Sequence, residues 1–493
     1  MRTMKPIKSL KTVDEFRRYT DEIGIDLKCE DAIVVGRASP LREPAEVHGR
    51  KIGNRWTVHP MEGWDGTETG GATELVVRRW RRFGESGAKI IWGGEAMAVR
   101  PDGRANPNQL IIIEENAKDL AMLRETLLKA HRERFDTTDD LILGFQLTHS
   151  GRFCKPWSKT KLEPRVAYRH PILDRKFGVT NDGQVFADDE LAELVRDYVR
   201  AAKLAQKVGA DFVDIKHCHG YLLHELLSAN TRPGPYGGSL ENRTRLLREI
   251  VEGIRSEASG LLIGVRLSAF DFVPFRPDPE RTNGHILGPG VPEDYRHCLP
   301  YRYAFGVDQD NPTEYDLAEP VGFLKLCESL DIRLINMTAG SPYYNPHIQR
   351  PALRPPSDGY APPEDPLVGV ARQINVVKEL KAKFPTMFFV GTAYTYLQEY
   401  LPHVAQHYLR HGHVDSIGIG RMVLTYPEIL ADATSTGVLD EKRVCRTLSD
   451  CTTGPRDGLP SGCYPLDGFY RDSRYGEMLR EIKSKRRAGR SAR

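Results

Sequence analysis

The stretch Ala210–Leu247, ADFVDIKHCHGYLLHELLSANTRPGPYGGSLENRTRLL, holds one complete unit of the architecture. Phe212, Val213 and Ile215 form a short β-branched and aromatic run that reads as a buried strand. It ends in Lys216-His217-Cys218-His219-Gly220-Tyr221, which crowds a cation, two imidazoles and a phenol onto a strand-to-loop junction. A Pro/Gly-rich segment follows, and Ser239 then stands as an N-cap before Leu246, Leu247, Ile250, Val251 and Ile254 at helical spacing. The unit is strand, functional loop, helix. Taken singly, each polar residue fits a basic loop capping a strand, with Tyr221 packed and the histidines solvated; the combination is what suggests a site.

Outward from this unit the pattern repeats. Strands are expected at Arg55–His59, Ala88–Trp92, Leu141–Leu147, Leu261–Leu267, Arg333–Met337, Met387–Gly391 and Val414–Ile419, with amphipathic helices between them, such as the one marked by Leu191, Leu194, Tyr198 and Ala202. Eight strands alternating with helices predict a parallel α/β fold, and the count fits a closed (β/α)8 TIM barrel. A doubly wound sheet is the competitor. It is disfavoured because no early strand-GxGxxG-helix is present and polar residues gather after nearly every strand. The barrel is expected over residues 51–435, after an N-terminal extension at 1–50 with a small amphipathic segment (Val13, Phe16, Tyr19, Ile23). An insertion at about 270–316 carries Phe272, Phe275, Tyr295, Tyr301, Tyr303 and Phe305 and reads as a lid over the barrel mouth. A Cys-containing tail fills 436–493, and its basic end, Lys483–Arg493, reads as solvated and partly disordered.

The 70 Lys and Arg side chains nearly balance 67 Asp and Glu, for a net charge of +3, so neither nucleic acid nor a membrane surface is the expected partner. The N-terminus has no apolar core of signal-peptide length and no run approaches a membrane span, which makes the cytoplasm the default location. Eight cysteines in 493 residues do not suggest a disulfide framework; free thiols or metal ligands are expected.

Two glycine clusters, Gly391-Thr392-Ala393 and Gly418-Ile-Gly420-Arg421, follow the seventh and eighth strands, where barrels bind phosphate through exposed N–H groups and a helix N-terminus. Arg266 lies in an otherwise apolar strand, where a cation is costly unless it meets an anion; a salt bridge to a barrel carboxylate is the structural alternative.

Asn230, Arg232, Tyr236, Gly237, Gly238, Ser239, Asn242, Arg243 and Arg245, with Gln-Leu-Thr-His149-Ser-Gly151-Arg152, resemble the old yellow enzyme superfamily of NADH:flavin oxidoreductases, nearest the branch of dienoyl-CoA reductase and trimethylamine dehydrogenase. The resemblance covers roughly Trp56 to Tyr426 and implies FMN as cofactor and NADH or NADPH as reductant. It places Gly391, Gly420 and Arg421 on the FMN phosphate, Gln146 on the pyrimidine edge of the ring, and Arg266 beside N1 and O2. Pro60 and Met61 match a backbone contact to the ring, Gly94 fits a close approach of backbone to it, and Glu62 stands where the family has a small polar residue that tunes the flavin.

On the substrate side the resemblance implies that His219 and Lys216 hold a developing oxyanion and that Tyr221 protonates the alkene carbon opposite the hydride. Lys216 replaces the family's first donor, which leaves the enone preference open. His217 and Cys218 read as structural. Relatives in the same branch hold a 4Fe-4S cluster on four cysteines after the barrel; here Cys445, Cys451 and Cys463 keep the spacing but Leu448 occupies the second ligand position, so no cluster and no metal are expected. The reading is an FMN-dependent oxidoreductase that uses NAD(P)H to reduce an activated, enone-like alkene. The alternatives are an FMN-dependent dehydrogenase of an amine or other small donor and, from a different class, a non-catalytic flavin-binding barrel. A small molecule is the expected partner, and a homo-oligomer is compatible with the reading.

Overall fold

The computed structural model describes residues 4–283, 287–357 and 359–491. The apolar runs form eight parallel strands, all at the expected places: β1 Trp56–Val58, β2 Ile90–Ile91, β3 Ile142–Thr148, β4 Phe212–Ile215, β5 Leu262–Ser268, β6 Leu334–Thr338, β7 Phe388–Gly391 and β8 Ser416–Ile419. Each pairs with the next, and β8 pairs back onto β1, with Ile417 opposite Trp56 and Ile419 opposite Val58. The sheet therefore closes into a (β/α)8 TIM barrel. A short strand at Ala96–Ala98 adds to the rim beside β3.

Eight helices lie outside the strands: α1 Glu74–Glu85, α2 Ala117–Phe135, α3 Asp188–Lys207, α4 Arg245–Glu257, α5 Ala318–Ser329, α6 Pro366–Lys383, α7 Leu401–Arg410 and α8 Ile429–Ser435. The stripe Leu246, Leu247, Ile250, Val251 and Ile254 of α4 is fully buried against the sheet, as its spacing predicts.

Residues 4–52 do more than extend the chain. An antiparallel hairpin, Ala45–Val47 with Arg50–Ile52, packs Val47 and Ile52 with Ile90, Trp92, Ile142, Phe212, Leu334 and Phe388, in a cluster separate from the main core. Apart from Trp92, which follows β2, these are the first residues of their strands, so the hairpin seals the barrel floor. The amphipathic segment is a helix, Val13–Glu22, whose Phe16 stacks on Tyr400 at 4.4 Å; Tyr400 in turn donates a 2.9 Å hydrogen bond to the carbonyl of Leu10.

The insertion is ordered by its aromatic residues, with Gly284–Ile286 of it outside the described residues. Phe272, Phe275, Tyr301 and Phe305 are buried, and Phe275–Pro277 pairs antiparallel with Gly290–Pro292. Phe275 packs on His347 at 4.5 Å and on Tyr360, and Phe305 packs on Phe323 of α5. None of its described residues lines the cavity at the barrel mouth; its aromatic residues pack on the loop after β6 and on α5. The basic C-terminal end, expected to be partly disordered, instead belongs to a helix, Arg474–Ser491, with Lys483 paired to Asp450 and Arg486 to Asp457; its last two residues lie outside the described set.

Phe212 is the floor's largest strand side chain facing Trp92, with ring centroids 5.1 Å apart. Phe212→Ala is expected to lower the unfolding free energy by about 3–5 kcal/mol, since Phe212 is fully buried among the floor side chains and its removal leaves a cavity. Urea titration measures this, and a loss well under that range would mean the floor is not close-packed.

Candidate active site

The carboxyl ends of the strands, with the loops after them, surround a cavity of about 260 Å³. This is the face on which barrels of this kind build sites. Each strand end contributes: His59–Glu62 after β1, Ala96 after β2, Gln146 from β3, Lys216 and His219 after β4, Arg266 from β5, Tyr343 and Gln349–Pro351 after β6, Thr392 and Ala393 after β7, and Gly418, Gly420 and Arg421 at β8. The closure of the barrel places residues from both halves of the chain on one wall.

Arg266 is 5 % exposed, and its Nε has no hydrogen-bond partner among the described residues. Among the described residues it forms no salt bridge with a barrel carboxylate, the structural alternative raised by its position. Burial pushes its guanidinium below the ordinary value, opposed by Cys218 and Asp214. Asp214, on β4, is the carboxyl group that opposes this shift. Burial raises its carboxyl to about 6, and it accepts hydrogen bonds from the Gln146 amide at 2.5 Å and from the Arg266 backbone N–H at 2.6 Å. Asp214 thereby fixes the Gln146 side chain at the cavity wall. A buried cation with an unfilled donor, beside an amide held in one orientation, is a preformed receptor for a planar polar or anionic group.

His59 is buried, lies 3.2 Å from Asn336, and is held neutral by burial and by Arg266. A Cβ at Gly418 would stand 2.1 Å from the His59 ring and 2.4 Å from the Gly391 carbonyl, so β8 passes the histidine only as glycine. Arg421, three residues on, also has a buried nitrogen, Nη1, without a partner among the described residues.

At the other side, Lys216 is buried with its Nζ 3.5 Å above the centre of the Tyr221 ring. Burial lowers its pKa, with Glu62 opposing the shift. His219 adopts φ +66°; its Nε2 lies 3.3 Å from both Thr338 Oγ1 and Gln349 Nε2. Burial, Arg266 and Lys216 keep that imidazole neutral. Tyr221 is 1 % exposed, and its hydroxyl donates to Glu62 Oε2 at 2.6 Å and lies 3.0 Å from the Tyr343 hydroxyl. Burial first, then Glu62 and Tyr343, pushes its phenol well above the ordinary value.

The loop that carries Glu62 is anchored from below. Arg79 of α1, buried, binds Glu95 at 2.6 Å and Asp65, while Glu95 also accepts the Gly63 N–H. Asp65 accepts the Ser461 N–H at 2.9 Å, so the same anchor ties the tail to the site.

Of the twelve expected site residues, Pro60, Met61, Glu62, Gln146, Lys216, His219, Arg266, Gly420 and Arg421 line the cavity. Gly94, Gly391 and Tyr221 do not. Gly94 has φ +56° and sits under the Trp80 ring, where a Cβ would come within 2.5 Å; its carbonyl accepts the Met61 N–H at 2.9 Å. It shapes the Met61 loop from behind. Tyr221 stands behind Glu62 and Tyr343, both of which reach the cavity.

The sequence reading passed over His59, Asp214, Tyr343 and the tail. His59 and Asp214 carried a signal, as polar groups at a strand end and inside a strand. Tyr343 carried none, because its place depends on stacking on Phe153 at 3.9 Å. The tail contributes Cys451, Thr452, Pro455, Arg456 and Ser461 to the wall. Cys445, Cys451 and Cys463 are free thiols, and among the described residues no three His, Cys, Asp or Glu side chains are grouped to hold a metal ion.

Residues 40–279 match the NADH:flavin oxidoreductase / NADH oxidase family. The chain is 31% identical over 241 residues to an NADPH dehydrogenase of Bacillus subtilis (strain 168), which spans 48% of this chain and 65% of that relative. It is similar in structure to a 2-naphthoyl-CoA reductase in complex with 2-naphthoyl-CoA (TM-score 0.61, 17% identity, 87% of this chain and 57% of that one). It is also similar to an old yellow enzyme homologue from Zymomonas mobilis (TM-score 0.51, 20% identity, 80% of this chain and 91% of that one). At these identities the two structures speak to the fold alone.

Because burial disfavours the Arg266 cation, Arg266→Met is expected to stabilise the ligand-free protein by about 1–4 kcal/mol at pH 5, where Asp214 is largely protonated. At pH 8 the gain should shrink, since Asp214 ionises on passing about 6 and then attracts the wild-type cation. Urea unfolding at the two pH values measures both, and a loss of stability at pH 5 would mean the guanidinium is already compensated.

Proposed function

Because residues 40–279 match the NADH:flavin oxidoreductase / NADH oxidase family, we propose that this chain binds FMN in the cavity at the barrel mouth and uses NADH or NADPH to reduce an electron-poor alkene. The observation that carries the reading is Arg266, a buried cation facing the cavity with an unfilled donor and Gln146 locked beside it by Asp214. A flavin ring has the matching chemistry: a polar pyrimidine edge that gathers negative charge on reduction.

The residues present fit FMN. Gln146 and Arg266 would hold the pyrimidine edge, the Pro60-Met61 loop would lie along the ring, and Thr392, Ala393, Gly420 and Arg421 would hold the phosphate with backbone N–H groups and a guanidinium. When bound, FMN supplies hydride transfer between NAD(P)H and the substrate. The chain's own part is electrostatic and geometric. Neutral His219 and Lys216 are placed to donate to an oxygen that becomes negative as the alkene is reduced, and in a water-poor cavity such donors are worth several kcal/mol, roughly 10²–10³ in rate. The proton for the alkene carbon comes from the Tyr221–Glu62 pair, with Tyr221 as its expected donor.

Oxidation of a small amine is the second reading, supported by Glu62, whose Oε1 is buried in the cavity with no partner among the described residues. Lys216 and Arg266 in the same cavity repel an ammonium ion, which favours the first. The activity of the whole protein and its small-molecule substrate remain part of this proposal.

The purified protein is expected to show a flavin absorption band, or to gain one on incubation with FMN, and to bleach anaerobically with NADH or NADPH. Addition of 2-cyclohexen-1-one should restore the band, whereas a methylated amine should not bleach the oxidised protein. A colourless protein that takes up no FMN defeats the reading, and bleaching by the amine alone would favour the second.

A further inference from the structure

Glu62 is the one carboxylate among the described residues on the cavity wall, and its two oxygens are used differently. Oε2 accepts the Tyr221 hydroxyl at 2.6 Å. Oε1 is buried and has no hydrogen-bond partner among the described residues. Lys216, buried on the same wall, does not fill that place: its Nζ sits 3.5 Å above the centre of the Tyr221 ring and acts on Glu62 through charge. The next N–H of the loop, from Gly63, is given to Glu95, which Arg79 holds in place. A carboxylate oxygen taken out of water without a donor is costly, and a donor that reaches it makes a stronger bond than two neutral groups do.

We propose that Glu62 is a specificity-determining residue: its Oε1 takes a hydrogen bond from the substrate, so the alkene carries a neutral hydroxyl or amide N–H close to the carbon that receives the proton. The inference rests on the alkene-reductase reading above and names the substrate class within it. The donor is neutral because Lys216 and Arg266 on the same wall repel an ammonium ion. Its position follows from Tyr221. The phenol that gives the proton is bonded to one oxygen of the carboxylate, and the other oxygen shares the same carbon atom. A group attached to the protonated carbon is therefore placed to reach it.

Glu62 stays a carboxylate throughout and takes no part in the proton transfer, which remains with Tyr221. Its contribution is to binding and discrimination. A simple enone leaves Oε1 unfilled and out of water, whereas a substrate with the donor fills it. Sites built around such a polar group reject the analogue that lacks the donor more strongly than an apolar pocket rejects a missing methylene.

The test uses the FMN-loaded protein and two near-isosteric enones, 2-(hydroxymethyl)-2-cyclohexen-1-one and 2-ethyl-2-cyclohexen-1-one, which differ in O–H against CH3 on the side chain of the carbon to be protonated. Protein reduced anaerobically with NADPH or NADH is mixed with each in a stopped-flow instrument. The second-order rate constant of reoxidation should favour the hydroxymethyl compound about 10- to 100-fold in wild type and less than about 3-fold in Glu62→Met. Glu62→Gln, which keeps the shape without the charge, should fall between the two. In Tyr221→Phe both reactions should slow while the preference stays. Binding of the saturated ketones 2-(hydroxymethyl)cyclohexanone and 2-ethylcyclohexanone, read from the oxidised flavin band, gives the same preference as a ratio of Kd values without any chemistry. A wild-type preference under about 3-fold in both measurements, or one that survives in both Glu62 variants, overturns the assignment. Weaker FMN uptake by Glu62→Met with no preference in wild type overturns it in favour of a flavin N–H as the donor. Failure of the underlying reading is seen before either enone is added, since wild type would then neither take up FMN nor bleach with NAD(P)H.

Discussion

Closure of the sheet is the constraint on which everything else here depends. The β8–β1 pairing sets Ile417 against Trp56 and Ile419 against Val58, so residues some 360 apart in the chain become neighbours. Without it the His59–Trp64 loop and the Gly418–Arg421 turn would lie on opposite edges of an open sheet, and no common wall would exist. Closure also leaves no room for error inside. Glycine at 418 lets β8 pass His59, and the 45–52 hairpin fills the floor that eight tapered strands leave open.

A closed barrel forces polar groups at the mouth out of water, and the chain answers with partial compensation. Asp214 serves Gln146 and the Arg266 backbone, but the Arg266 Nε has no partner among the described residues. Arg79 is treated differently: it sits between Asp65 and Glu95 and is fully paired. The contrast separates two kinds of buried charge. A paired one fixes structure, here the loop that carries Glu62. An unpaired one beside a cavity stores binding energy that a ligand can release. The mouth is thus built as a rigid frame with a few groups left open.

The C-terminal tail belongs to this frame. Its cysteines drew attention because they keep the spacing of a cluster site, yet the tail's larger contribution is mechanical: Ser461 joins the Asp65–Arg79 anchor, and Thr452 and Arg456 stand on the cavity wall. The insertion moves the other way. Its aromatic residues bury against His347, Tyr360 and Phe323, and none of its described residues lines the cavity. Aromatic content foretold order in the insertion, whereas the basic end of the tail was expected to be partly disordered and belongs to a helix.

The sequence by itself determined the eight strands, their alternation with helices and the barrel, because these are local matters of hydrophobic period and turn chemistry; nine of the residues on the cavity wall were legible only through the resemblance to a known family. Only the tertiary structure decided which side chain stands in front of which. Whether Tyr221 or Glu62 faces the cavity, whether Arg266 finds a carboxylate, and which loop closes the site are set by contacts between segments 50 to 400 residues apart. Such contacts leave no periodic mark on the chain, since each is satisfied by one residue from each side. The stretch Ala210–Leu247 thus announced the site, and the loop after β1, with nothing in its own residues to show it, decided how Tyr221 is presented within it.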